Sequence, residues 1–394
     1  MAEEKNAERL ARLALYLGLN TNQTAFHRVM RHLGSAIDAL AGHDLSHVGV
    51  NVTPLMAGGL MEEALDHLNY AREGGLDIII WGDDHYPVRL AEIPDPPPVL
   101  WLHGELTDDD RFAVALVGSR RASSDGLAAA RRLGREGAEC GLTVVSGLAK
   151  GVDAQAHRGA LEAGGRTLAV LGCGLNHVYP RENAGLYREI AHRGALISEF
   201  PPDVGPLGAN FPRRNRVIAG LGLATVVVEA SERSGALITA RLAAELGREV
   251  AAVPGRAGSD YAKGAHRLIK NGAALIESMK DVVLEIRPRL LEGILAPEPG
   301  RAVPPLPDNE PDSYVKPPSR PARPRPVKAP PLPPQPEPDT PEAKILARLT
   351  GGGKDVDTLI RSTGIGAAEM AALLLNMELS GMIRRLASGL FEKL

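Results

Sequence analysis

Between residues 113 and 287, short apolar runs alternate with segments of helical length, and this alternation constrains the fold more than any other feature of the chain. The runs are Val114–Val117, Leu142–Val145, Thr167–Leu171, Ala195–Ile197, Thr225–Val228, Glu249–Val253 and Ala274–Ile276. Apolar runs this short suit strands covered on both faces. Helical segments lie between most of them, so the pattern predicts a doubly wound α/β domain with a mostly parallel sheet. In such a sheet ligands bind outside the carboxyl ends of the strands. The residues that follow each run are therefore where chemistry is expected.

Those loops are rich in small, hydroxyl-bearing and basic residues. Val117 leads into Gly118-Ser119-Arg120-Arg121, just ahead of a predicted helix start near Ser123. A helix N-terminus carries partial positive charge and unpaired N–H groups, so two arginines there call for an anion. After the second run come Ser146-Gly147 and Lys150-Gly151-Val-Asp153, and after the third Gly172-Cys-Gly174 and Tyr179-Pro-Arg181-Glu-Asn183. Glu199 follows the fourth run, and Asn210-Phe211-Pro-Arg213-Arg214-Asn215-Arg216 puts three arginines in four positions. Glu229 and then Ser234-Gly235 follow the fifth. Ser-Gly pairs at helix starts present bare backbone N–H groups, which suit phosphate oxygens. Together these loops predict a rim that binds an anionic ligand. Phe211 and Tyr179 are its stacking candidates in a chain with only 4% aromatic residues.

Enzyme signatures are incomplete. The Walker A spacing is missing, and Gly172-Cys-Gly174 lacks the third glycine of a dinucleotide fingerprint, because position 177 is His. Asp153 and His157 share a helix face but offer only two metal ligands; helix capping and a local bond are the plainer expectation. No nucleophile elbow is present. Glu199 and Glu229 could serve as catalytic carboxylates or pair with Arg214 and Arg216. A nucleotide-processing enzyme is thus the alternative reading.

The remaining regions divide by composition. Residues 1–75 read as a small helical domain, with helices over Arg9–Leu17, Gln23–Leu33, Ala36–Ala41 and Glu62–Glu73. Residues 76–112 read as a Pro-rich bridge packed onto the core, with a short strand over Leu76–Trp81 and later prolines that keep the path out of a central ladder. Residues 113–296 form the Rossmann-like domain. Residues 297–341 hold 18 of the 31 prolines and read as a disordered linker. Residues 342–394 follow the order helix, helix, helix, hairpin of a winged-helix-like domain that could bind duplex DNA or protein. Its third helix, Ala367–Gly381, carries Glu369 and Glu378 and no Lys or Arg, which favours protein contact or a vestigial role. The net charge of −3 means that any basic surface is local. Two cysteines without metal-type spacing fit a reducing cytoplasm. The charged opening Met-Ala-Glu-Glu-Lys leads into no long apolar run, so neither a signal peptide nor a membrane span is expected.

The same loops carry a family resemblance. Val117-Gly-Ser-Arg-Arg121, Val145-Ser-Gly-Leu-Ala-Lys-Gly-Val-Asp-Ala-Gln-Ala-His157, Leu171-Gly-Cys-Gly-Leu175 with Tyr179-Pro-Arg-Glu-Asn183, Ser198-Glu-Phe-Pro201, Asn210-Phe-Pro-Arg-Arg-Asn-Arg-Val-Ile-Ala-Gly220 and Ser234-Gly-Ala-Leu-Ile-Thr-Ala240 resemble the DNA-processing protein A (DprA/Smf) family. The resemblance runs from about Asp84 to Leu284, in the family's order. It implies an extended Rossmann-like domain, a tail winged helix, homodimers, single-stranded DNA as ligand and the RecA recombinase as partner. It implies no catalysis, cofactor or metal. By position Gly118, Ser119 and Arg120 match the family's phosphate-binding turn, and Ser146 and Gly147 its second loop. Arg181 falls where a basic residue follows Tyr-Pro. Asn210, Phe211, Arg214, Asn215 and Arg216 match the Asn-Phe-Pro-x-Arg-Asn-Arg segment, and Ser234 and Gly235 complete the expected DNA-binding set.

Overall fold

The computed structural model describes residues 2–42, 45, 57–295, 340–349, 353–366 and scattered positions from 370 to 393. It divides into two units, Met1–Tyr314 and Val315–Leu394.

The first unit opens with helices α1 (Ala2–Gly18), α2 (Gln23–Leu33), α3 (Ala36–Leu40) and α4 (Ala57–Glu73). Asn22 caps α2 by accepting from the Ala25 amide at 3.1 Å, and Gly34 ends it in the left-handed conformation. Leu13, Phe26 and Ala64 are buried in one core with the following strands β1 (Asp77–Ile80) and β2 (Val99–Gly104), which flank the short α5 (Val88–Ala91).

The alternation then begins: β3 (Ala113–Val117), α6 (Ser124–Glu139), β4 (Thr143–Ser146), α7 (Val152–Glu162), β5 (Thr167–Val170), α8 (Ala184–Arg193), β6 (Ala195–Ser198) and α9 (Asn210–Leu221). It continues with β7 (Ala224–Val227), α10 (Ala236–Glu245), β8 (Glu249–Ala252), α11 (Lys263–Lys270), β9 (Ala274–Leu275) and α12 (Met279–Leu295). All seven predicted strands are present within a residue or two. The nine strands form one sheet in the order β1-β2-β6-β5-β4-β3-β7-β8-β9. From β6 to β9 every pairing is parallel, whereas β2 joins β6 and β1 antiparallel. The chain builds outward from β3 to β6, then returns to place β7 on the other side of β3. This reversal is the topological switch of a Rossmann-like sheet.

β3 is buried along its whole length. Ala113, Ala115 and Val117 enter the core shared with α9, while Val114 and Leu116 face the core of α6, α7 and α12. That two-residue period between two covered faces explains a run with no polar residue. α6 and α7 approach closely because Gly134 lies against the backbone of Ala156.

One expectation needs revision. The segment read as excluded from the ladder supplies β2, which pairs Trp101 with Ser198. Its prolines, Pro94 and Pro96 to Pro98, end just before Val99, so every residue in the strand keeps its N–H.

The second unit contains α13 (Pro341–Leu349), α14 (Val356–Thr363) and the hairpin of β10 (Ile383–Arg385) and β11 (Phe391–Lys393). Of the predicted third helix, Met370, Leu373, Leu374 and Met377 are described and helical, and Met370, Leu374 and Met377 are buried. Glu369 and Glu378 lie outside the described residues, as does nearly all of the predicted Pro-rich linker. Among the described residues no helix is long and apolar enough to cross a membrane.

Candidate nucleic-acid interface

The C-terminal ends of β3, β4 and β5 meet the start of α9 in a cleft lined by Arg120, Gly147, Lys150, Gly172, Tyr179 and Phe211. Phe211 is its centre. The Arg120 guanidinium lies over its ring at 5.3 Å from the centroid, and Tyr179 tilts against it at 5.5 Å. Both geometries suit a cation or a second ring on the face of an aromatic. Gly172 forms the floor, because a Cβ there would stand 2.8 Å from the Phe211 ring. Tyr179 is 42% exposed, and Arg120 and Arg181 are exposed. No carboxylate pairs with Arg120 or Arg181 among the described residues. Lys150, also exposed, pairs with Glu182 across the cleft mouth.

Arg214 underpins the cleft from inside. It is buried, donates from Nη1 to the carbonyls of Gly147 (2.8 Å) and Val170, and lies 5.9 Å from the Phe211 ring centroid. Its Nε donates to Asn215 Oδ1 at 3.2 Å. Burial pulls its pKa down to about 10, and the neighbouring Arg120 adds to the drop while Asp153 opposes it. Asp153 accepts from the amides of Gly147 (3.2 Å) and Ala149 (3.4 Å). Burial raises the Asp153 pKa against the pull of Arg214. Burial also pushes the Cys173 thiol, on the cleft wall, up to about 11, which leaves it protonated and unreactive at neutral pH.

Other expected residues sit elsewhere. Arg216 is buried on the opposite side of α9, where Nη2 donates to Glu199 Oε2 (2.5 Å) and Gln23 Oε1 (2.7 Å) and Nη1 to the Asp95 carbonyl (2.5 Å). Burial works against its charge, but Glu199 and Asp95 outweigh that and hold its pKa above the ordinary value. Arg213 also donates to Glu199, at 3.2 Å. Ser146 is wholly buried and donates to the Leu116 carbonyl at 2.6 Å. Asn210 begins α9 beside Phe211. Gly118 and Ser119 turn the chain out of β3; the Ser119 amide donates to the Glu229 carbonyl at 2.8 Å, and its hydroxyl accepts from the Arg121 amide at 3.1 Å. Ser234 and Gly235 open α10 past β7 and do not line the cleft.

The anion expected at the start of α6 is the protein's own. Glu229 accepts from the Ser123 amide at 2.9 Å and from its hydroxyl. Glu229 therefore caps a helix instead of pairing with an arginine, and Glu199 pairs with Arg213 and Arg216, not Arg214. His157 is buried; its Nδ1 meets the Thr167 hydroxyl at 2.6 Å, and that hydroxyl donates to the Val144 carbonyl. Burial takes its pKa down to about 3, so the ring is neutral. Among the described residues no cluster of His, Cys, Asp and Glu could hold a metal ion. Lys150 was absent from the expected set, although its place in the loop after the second apolar run pointed to the rim.

The fold and cleft define a class: a Rossmann-like protein with a cationic, aromatic cleft at the carboxyl ends of β3, β4 and β5. Residues 77–287 match the model of the DNA recombination-mediator protein A family, and 329–389 that of the DprA winged helix domain. The chain is 37% identical over 307 residues to Protein Smf of Escherichia coli, covering 78% of this chain and 74% of that protein. It is 44% identical over 203 residues to the DNA processing protein DprA of Streptococcus pneumoniae, covering 52% of this chain and 72% of that one. The X-ray structure of DNA processing protein A from Streptococcus pneumoniae superposes with a TM-score of 0.52 at 40% identity, over 58% of this chain and 82% of that one. This chain belongs to the DprA/Smf family.

Proposed function

We propose that the protein is a non-enzymatic single-stranded DNA-binding protein that takes the strand in the Arg120–Phe211 cleft and passes it to a RecA-type recombinase during transformation or recombination. The observation that carries this reading is the stack of Arg120, Phe211 and Tyr179 over Gly172. A base can slide against Phe211 or Tyr179 only if it is unpaired, and Arg120 and Arg181 stand beside it for the phosphates. The set of contacts is then Arg120, Arg181, Lys150, Tyr179, Phe211 and the backbone at Gly118–Ser119, with Arg214 holding the cleft in shape. Arg216 and Ser146 support the fold around it. In the same reading 113–296 is the DNA-binding domain, 297–341 a tether for the winged helix, and the working form is a cytoplasmic homodimer. The enzyme alternative loses ground because its two carboxylates, Glu199 and Glu229, are both buried in bonds to the protein's own groups.

The test is binding of a fluorescent single strand of about thirty nucleotides against its duplex, for wild type and Arg120→Ala. The reading expects single-strand preference, weakened by the substitution. Equal or stronger duplex binding, untouched by it, would move the activity to the C-terminal unit.

A further inference from the structure

A strand longer than the cleft must leave it along the rim. Two exits exist, and their charges differ. Toward β5 and β6, Arg181 is exposed beside the cleft, but beyond it Lys150 is already paired with Glu182, and Asp203 is exposed where Asn176 donates to it at 2.6 Å. Toward β7 and β8 the loops are joined to one another. The Ser119 amide donates to the Glu229 carbonyl, and the Gly264 amide, at the start of α11, donates to the Ala230 carbonyl, both at 2.8 Å. Within that second loop Ser259 donates to the Arg256 carbonyl at 3.1 Å, and His266 meets the Gly255 carbonyl at 3.0 Å. This contiguous ledge carries exposed Arg121, Arg233 and Arg256, none in an ion pair among the described residues. Lys263 and Asp260 cancel each other at 2.6 Å, and the exposed acids left are Asp125 and Glu232. Tyr261 is 48% exposed on the same ledge in a chain poor in aromatics, and nothing lies within 4 Å of where a Gly235 side chain would begin.

We infer that a strand bound in the Arg120–Phe211 cleft continues across β7 and β8, where Arg233 and Arg256 take its phosphates and Tyr261 stacks on a base. The inference rests on the single-strand reading above and adds a direction to it. β3, β7 and β8 are adjacent, so the ledge extends ~10 Å beyond the cleft at the usual strand spacing. That accommodates at most about three nucleotides, the number given by the ~3.4 Å spacing that one strand has in stacked duplex DNA.

The experiment is affinity against oligothymidylate length, from about four to about twenty nucleotides, for wild type, the triple variant Arg233→Ala/Arg256→Ala/Tyr261→Ala and Arg120→Ala. The substituted side chains of the triple variant are exposed, so its thermal midpoint should match wild type. The shortest oligomers should bind wild type and the triple variant alike. Longer ones should lose roughly tenfold in the triple variant, with a salt slope lower by about 1.4 because two phosphates are no longer neutralised. If long oligomers bind the triple variant as tightly as wild type while Arg120→Ala still weakens them, the exit path is wrong and the cleft stands. If no oligomer responds to Arg120→Ala, the reading beneath fails and the exit path with it.

Discussion

Arg214 and Arg216 stand two residues apart on α9 and turn to different neighbours. Arg214 is bonded to two carbonyls, lies under Phe211 and has its pKa lowered to about 10. Arg216 meets Glu199, Asp95 and Gln23 on the side of the N-terminal helices, and its pKa is raised. Residues two apart on a helix differ by about 200° of rotation, so the two arginines sit on opposed faces. Arg213 lies three before Arg216 and shares its partner Glu199. A cluster of like residues is therefore not one patch. Where carbonyls satisfy a guanidinium, its positive field persists at the cleft; where carboxylates do so, the charge is neutralised inside the fold.

The largest expected effect would break the inner face. Glu199→Ala leaves buried Arg216 with Asp95 alone as its counter-charge, Oδ2 standing 3.5 Å from Nε, and should cost about 3 kcal/mol of stability. Urea unfolding should show it, while the affinity of the folded fraction for single strands changes little. The same face also sets an acid sensitivity. His27 Nε2 meets the Pro96 carbonyl at 2.6 Å, and burial takes its pKa down to about 4. The folded ring stays neutral while the unfolded one takes up a proton below about pH 6.5. Its contribution is therefore complete above pH 6.5 and is lost as pH falls toward 4. Roughly 2 kcal/mol should disappear between pH 7 and pH 5, and His27→Gln should flatten that dependence in the same unfolding experiment.

Changes on the outer face should act on binding instead. Phe211→Ala is expected to weaken single-strand binding roughly tenfold, about 1.4 kcal/mol, with Tyr179 retaining part of the stacking. Its thermal midpoint should move far less than that of Glu199→Ala. The smallest effect belongs to Lys150→Ala. Glu182 already neutralises that ammonium at an exposed site, so the loss of affinity in a fluorescence titration should stay within about twofold.

Much of this architecture was legible in the residues. The unbroken run Val114–Val117 and the breaker Gly118 mark a doubly buried strand and its turn, and the structure has both. Arg120 could be placed on the rim because it follows that strand directly. The division among Arg213, Arg214 and Arg216 could not be read, because it depends on where α9 begins and on what packs against each face. Glu229 looked like a partner for arginine, yet its carboxylate reaches the start of α6, a tertiary contact that no local pattern announces. Gly172 and Phe211 are likewise distant in the chain, and only the fold makes one the floor of the other. The prolines before β2 misled in a simpler way: the last of them, Pro98, immediately precedes the strand and none lies inside it.

The most direct measurement of the central claim is the slope of log affinity against log salt for a single strand, in wild type, Arg120→Ala and Phe211→Ala. The account predicts a slope reduced by about 0.7 in Arg120→Ala, because one phosphate is no longer neutralised. Phe211→Ala should give a parallel drop in affinity with the slope kept, because stacking releases no counterions. Unchanged slope and affinity in both variants would contradict the account and remove the DNA from this cleft.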